Sequence, residues 1–382
     1  DVLFYGDSNS SPRRRKLLAA LAEKFNVQIV SEVFGSEMQS QIRQARLVIN
    51  LHYYEDALLE MPRIQECLSL GVPVVSEAAR DQEDYPEIFQ GVKFFAQGSI
   101  PAMLDAVAAM LDNPPSPKEI AAAVASGKKR WQFMFSRFLI GMRFVPPTAA
   151  LDLDIPISKG FQPTVLSLPE TIDRRRLFER ENKLSCVLFD GICFQPGWVG
   201  CGLSYATLAQ NALRQGREIL TVMEDDVIAP DNMAEKLQFI NEYLEQNHVH
   251  WDVFSGVIAD LHKETRVLAV DQFKGMTLVT IDHMTSTVFN IYSRKVLELL
   301  TGWDPANRDS QTNTIDRFLE QQTDLRVVVT LPFLVGHREE LYSTLWGFKN
   351  IVYLDLIAAS EKRLRELVTG YLQTKRISGA AE

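Results

Sequence analysis

Short β-branched runs alternate with helical stretches twice along this chain, and proline-rich breakers separate the two series. In the first series the runs are "VLFY" (2–5), "VQIVSEV" (27–33), "LVINL" (47–51) and "VPVVS" (72–76). Helical patterns at 12–24, 37–45 and 57–70 lie between them. Strands alternating with helices predict a parallel sheet covered on both faces, an α/β domain over residues 1–113. The loop "GDSNSSPRRRK" (6–16) opens the first helix, with Pro12 suited to its first turn. Arg13, Arg14, Arg15 and Lys16 at that helix N-terminus suit either a bound phosphate or a solvated basic turn.

The cluster "DNPPSP" (112–117) closes the first series. A helical linker is expected over 114–162. It holds a helix at 118–143 whose Trp131, Phe133, Met134, Phe135 and Phe138 form a packing surface between domains, followed by the proline-rich segment 145–163. From Pro163 the alternation resumes. "TVLSL" (164–168), "SCVLF" (185–189) and "EILTVM" (218–223) read as strands, "PETIDRRRLFEREN", 201–215 and 231–247 as helices, the last capped by Asp231. Further β-rich runs lie at 252–258, 266–270, 276–281 and 286–292, then helices near 293–301 and 311–321 and the strand "LRVVVTL". This second α/β domain is placed at 163–348. A tail at 349–382 sets Ile351, Leu354, Ile357, Leu364, Leu367, Val368 and Tyr371 on one helical face, suited to docking on the body or on a second subunit as a homo-oligomer, with attachment to a membrane surface as the alternative.

Two domains also suit a length of 382 residues. With 46% hydrophobic and 23% charged residues, the chain has the balance of a globular protein with true cores. A net charge of −9 argues against nucleic acid as a partner. Four cysteines (Cys67, Cys186, Cys193, Cys201) without CxxC spacing read as thiols in a reducing compartment. No apolar run is long enough to span a membrane, and no signal-peptide pattern appears. Because Asp1 opens within a strand-like segment, a longer native polypeptide is expected.

Glu224, Asp225 and Asp226 in "ILTVMEDDVIAP" (219–230) crowd three like charges at a strand end. A cation or plain solvent would compensate them. Ligands gather at the carboxyl ends of strands in open α/β sheets. Oxygen ligands suit Mg²⁺ or Mn²⁺, which often join carboxylates to substrate phosphates. Glu224 and Asp226 form an acid-x-acid pair that points one way in extended chain.

"PGWVGCGLSYATLAQNALRQGREILTVMEDDVI" (196–228) resembles family 25 glycosyltransferases, the lipooligosaccharide-type enzymes and their collagen-modifying relatives. The family pattern is a Gly-Cys-x-Leu-Ser-His helix start followed by a strand ending in Glu-Asp-Asp. Here it reads Gly200-Cys201-Gly202-Leu203-Ser204-Tyr205, with tyrosine in place of histidine. "VLSLPETIDRRRLFEREN" and "LFDGI" (188–192) look like the family's opening elements. The resemblance covers about 163–345 and implies a GT-A fold with a mixed sheet, a nucleotide-sugar donor and a divalent metal. Carried onto this sequence, it makes Glu224, Asp226 and His337 the metal ligands, with His283 a rival to His337. Ser167, Arg174, Arg175, Ser204, Glu224 and Asp225 would surround the donor. Asp316 would be the catalytic base of an inverting transfer, with Asp282 and Asp260 as alternatives. His52, His248, His250 and His262 have no constellation around them in the sequence.

"ALLEMPRIQECLSLGVPVVSE" (57–77) resembles the nucleotide-binding half of GT-B glycosyltransferases, a Rossmann-like domain, with Glu66 and Gly71-Val72-Pro73-Val74-Val75 framing the site. The partner half is missing, so 1–113 is expected to assist rather than catalyse. The resulting expectation is a metal-dependent transferase that moves a sugar from a UDP-sugar to a glycan or lipid-linked acceptor in surface polysaccharide or lipopolysaccharide biosynthesis. It would work in the cytoplasm, at the inner membrane face. The alternatives are a non-catalytic binding module with degenerate transferase folds, and a nucleotide-sugar hydrolase.

Overall fold

The computed structural model describes residues 1–9, 11–246, 250–322, 324–349 and 352–379. Ser10, Asn247, His248 and Ile351, which the sequence reading used, lie outside the described residues. The chain is α/β and divides into two compact units, Asp1–Gln132 and Phe133–Glu382.

The first unit runs β1 (Val2–Tyr5), α1 (Pro12–Lys24), β2 (Val27–Val30), α2 (Gly35–Gln44), β3 (Leu47–Asn50), α3 (Met61–Ser69), β4 (Val74–Glu77), β5 (Val92–Phe95) and α4 (Ile100–Asp112), then enters α5 (Pro117–Gly141), within which the division falls. Its five strands are all parallel, in the order β2-β1-β3-β4-β5. Alternate residues of each strand face opposite sides. Val2 and Phe4 pack with Leu17 and Leu21 of α1 and Met103 and Val107 of α4. Leu3 and Tyr5 pack with Ile42 of α2, Ile64 and Leu68 of α3, and Ile120. Both faces are therefore covered, as the β-branched runs predict. Gly71 ends α3 with φ +80°, a left-handed position that favours glycine, and its amide donates to the Leu68 carbonyl.

In the second unit come β6 (Pro163–Ser167), α6 (Ile172–Glu181), β7 (Val187–Asp190), α7 (Gly197–Arg214), β8 (Ile219–Glu224), β9 (Val227–Ile228), α8 (Met233–Gln246), β10 (Val253–Ser255), β11 (Val267–Phe273), β12 (Met276–Ile281) and β13 (Phe289–Ser293). After them follow α9 (Arg294–Thr301), α10 (Ser310–Asn313), α11 (Ile315–Glu320), β14 (Val327–Leu331), β15 (Gly336–His337) and α12 (Tyr353–Gly379). Eight strands form a mixed sheet, β11-β12-β14-β10-β13-β8-β6-β7. One face packs on α7, α9 and α11 through Leu203, Ala206, Val296 and Leu319; the other packs on α8 through Leu237 and Ile240. Leu364 and Val368 place α12 on this unit's own core, and the Ser360 hydroxyl donates to the Ala259 carbonyl at 3.1 Å. Asp231 does not cap α8, which starts at Met233; its carboxylate pairs with Lys183 instead.

Candidate active site

Three adjacent parallel strands, β7, β6 and β8, end at one edge of the mixed sheet. Their register sets Ser167 beside Asp190 and Leu166 beside Glu224, so the acid run begins where the ladder stops. The chain turns at Asp225 and Asp226 and re-enters pairing as β9, whose partner is β15. In that short ribbon His337 faces Val227, and the Arg338 amide donates to the Asp226 carbonyl at 2.9 Å. His337 is thereby fixed next to Asp226.

Arg174 of α6 bridges the acids. Its Nε donates to Asp225 Oδ1, and its Nη2 lies 2.9 Å from Asp226 Oδ2. His337 Nε2 lies 3.2 Å from that same Oδ2. The Ser167 hydroxyl donates to Asp225 Oδ2 at 2.5 Å. Arg175 holds this corner by donating to Ser167 Oγ at 3.1 Å and pairing with Asp190 at 2.7 Å. Asp225 and Asp226 are both buried. Burial pushes the Asp226 carboxyl up, but the Arg174 guanidinium and His337 outweigh it and hold Asp226 below its usual range. Burial pushes His337 down, and the Asp226 carboxylate more than reverses this, so the imidazole sits above its usual value. Glu224 goes the other way: burial, then the neighbouring Asp226 charge, push it up.

Glu224 has a partner that the sequence reading did not foresee. Tyr205 is fully buried, and its hydroxyl donates to the Thr287 carbonyl at 2.9 Å with Glu224 Oε1 3.2 Å away. Only its departure from the family's histidine marked this residue. Asp190 and Tyr353, whose ring stacks on His337 at 4.9 Å, were also missed. A strand-end acid in "LFDGI" was the signal for Asp190; Tyr353 had none.

Glu224, Asp226, His337 and Asp316 line one cleft of about 240 Å³, together with Arg174 and Tyr353. Asp316 stands in the first turn of α11 and accepts from the Arg317 amide at 2.9 Å. A smaller recess of about 70 Å³ adjoins it, lined by Ser167, Leu168, Arg174, Ser204, Glu224 and Asp225. Ser204 is already engaged: its hydroxyl donates to the Gly200 carbonyl and accepts from the Ile192 amide, tying α7 to the segment after β7. His283 and the alternative bases are not among the residues lining the cleft. His283 stacks on His262 and bonds Asp282, Asp282 also pairs with Arg266, and Asp260 pairs with Arg317.

The donors present fit a divalent cation. Asp226 Oδ1 and His337 Nδ1 are buried without a hydrogen-bond partner. Asp226 Oδ2 and His337 Nε2 form an ion-pair contact at 3.2 Å, so a cation held by these two atoms would take the place of that pairing. Among the described residues no group of three or more His, Cys, Asp and Glu side chains is gathered as a ready-made cage. Mg²⁺-type sites commonly use one or two carboxylates and leave the remaining positions to water and substrate phosphate.

In the first unit the basic turn of α1 is divided: Arg15 and Lys16 are exposed, while Arg13 and Arg14 turn inward. Arg14 is buried and donates to the carbonyls of Leu51 (2.6 Å) and Asp7 (2.9 Å). Arg13 pairs with buried Glu77 and donates to the His52 carbonyl at 2.6 Å. Both guanidiniums brace the carboxyl-end loops of the parallel sheet. Glu66 lines a cavity of about 590 Å³ with Tyr5, Arg63 and the loop 6–9.

No family model matches this chain, and no curated protein matches it closely enough to count as a relative.

Proposed function

We propose that residues 163–345 form a GT-A-type, metal-dependent glycosyltransferase domain. It would transfer a sugar, with inversion, from a UDP-sugar to a glycan or lipid-linked acceptor in surface polysaccharide or lipopolysaccharide biosynthesis. The observation that carries this reading is the convergence of Glu224, Asp226, His337 and Asp316 on one cleft at the strand ends, beside a second recess lined by Ser167 and Asp225. Asp226 and His337 would hold Mn²⁺ or Mg²⁺, with Glu224 in support. When bound, the ion neutralises the donor diphosphate and makes it a better leaving group. The smaller recess suits the nucleoside, with Asp225 and Ser167 as its polar contacts. Arg174 stands between the two spaces, where the diphosphate would pass. Asp316 would take the proton of the attacking acceptor hydroxyl. The first unit, read as a Rossmann-like GT-B half, would assist. This reading belongs in the cytoplasm at the inner membrane face; among the described residues no helix is long and apolar enough to cross a membrane.

One observation favours a second reading. Arg174 and His337 pair directly with the acids, as they would in a non-catalytic binding module built on a transferase fold. Titration calorimetry with UDP, with and without Mn²⁺, separates the two. The transferase reading expects Mn²⁺-dependent binding that Asp226→Ala abolishes. Binding that needs no metal and survives Asp226→Ala would establish the module. Release of free sugar from the donor without acceptor would mark a hydrolase.

A further inference from the structure

We infer that Arg174 is the resident counter-ion of the acid cluster, and that a divalent cation and a nucleoside diphosphate therefore load together. The diphosphate draws the guanidinium away from Asp225 and Asp226, and the cation takes its place. This rests on the reading of the cleft as a donor site.

One guanidinium here serves two carboxylates. Nε donates to Asp225 Oδ1, Nη2 pairs with Asp226 Oδ2 at 2.9 Å, and Nη1 reaches the Tyr342 carbonyl in a long bond of 3.3 Å. The Arg174 side chain is only 10% exposed, yet it lines both the cleft and the recess. Asp226 is incompletely satisfied, because its buried Oδ1 has no partner, and neither has Nδ1 of His337. The cluster thus keeps capacity for a further ligand although Arg174 already sits against two of its acids. A guanidinium does not give up its proton in a protein, so it must move to make room. A dication arriving alone would meet it against the same Asp226 oxygen, with repulsion and the loss of a buried ion pair to overcome. A diphosphate offers the departing guanidinium paired, charge-assisted hydrogen bonds. Arg175 is not available to substitute, being tied to Ser167 and Asp190. Loading is therefore cooperative, and by linkage each ligand raises the other's affinity by the same factor.

Mn²⁺ binding to the whole chain, read from the paramagnetic signal of free Mn²⁺, tests this with and without UDP, in the wild type and in Arg174→Gln. In the wild type UDP should tighten Mn²⁺ binding about tenfold or more. Arg174→Gln should bind Mn²⁺ alone about tenfold more tightly than the wild type and lose most of the UDP enhancement. Equal Mn²⁺ affinity in the two proteins, or weaker binding by the variant, overturns the inference while leaving the donor-site reading standing. A wild type that binds neither UDP nor Mn²⁺ overturns both. Should Arg174→Gln not fold, the wild-type measurement still decides, since UDP and Mn²⁺ binding independently of each other excludes coupled loading. Arg174→Lys, a single point charge unable to bridge both acids, should fall between the other two.

Discussion

At Tyr205 a single side chain carries both packing and polarity. The ring meets Tyr292 edge-on at 6.2 Å inside the core, and the hydroxyl reaches out to Thr287 and Glu224. Tyr205→Phe keeps the ring and leaves the half-buried Thr287 carbonyl without its donor. It should cost about 0.5–1.5 kcal/mol in denaturant unfolding; an unchanged midpoint would show that water replaces the hydroxyl. Asp282 supports a pH prediction. Burial pushes its carboxyl up, but the Arg266 amide, the His283 imidazole and the Arg266 guanidinium outweigh this and hold it below the usual range. A depressed folded pKa contributes stability above the unfolded value, near 4, and that contribution disappears as pH falls through the folded value. Asp282→Asn should therefore destabilise the protein at pH 7 and much less at pH 3, measured by urea melts at both. At this scale the acids were legible because three like charges at the end of an apolar run stand out. Their compensator was not: Arg174 is the first of three consecutive arginines on α6, and no spacing tells which of them turns towards the acids.

Among the elements, α7 shows what a glycine face permits. A Cβ on Gly202 would fall 2.2–2.6 Å from the Trp303 ring, which is buried and donates its indole N–H to the Asn313 carbonyl. Gly202→Ala should force Trp303 aside and destabilise the second unit by about 1–3 kcal/mol, visible as a lower urea midpoint and a shifted tryptophan emission. If both are unchanged, the helix has room that this packing denies. Gly197 likewise sits against the backbone of Thr344 and Leu345, bringing that loop to the start of α7. The β-branched runs located most strands because buried parallel strands are nearly all apolar. Helix starts were less legible: α7 begins at Gly197, ahead of the expected 201, since its first turn is written in glycine and tryptophan. β5 and α4 had no counterpart in the expected pattern. β9 and β15, two residues each, are too short for any periodicity to register, yet they are what sets His337 beside Asp226.

For the whole molecule, the two α/β series were readable because alternation persists over many elements and breakers separate them. The point of division was not, because α5 is one uninterrupted helix through it. All residues lining the cleft and its recess belong to the second unit. Residues 133–382 expressed alone should therefore unfold cooperatively and, on the proposed transferase reading, match the whole chain in Mn²⁺-dependent UDP binding; loss of binding in a folded fragment alone would assign the first unit a direct part. The β9–β15 ribbon carries one more consequence. It joins residue 227 to residue 337, so Asp226 and His337 meet only after the whole stretch between them has been synthesised. Contacts so distant in sequence close late in folding. A ribosome-bound chain that has not yet emerged through β15 cannot assemble this pair, so on the proposed metal-binding reading Mn²⁺ uptake would report that synthesis has passed residue 337.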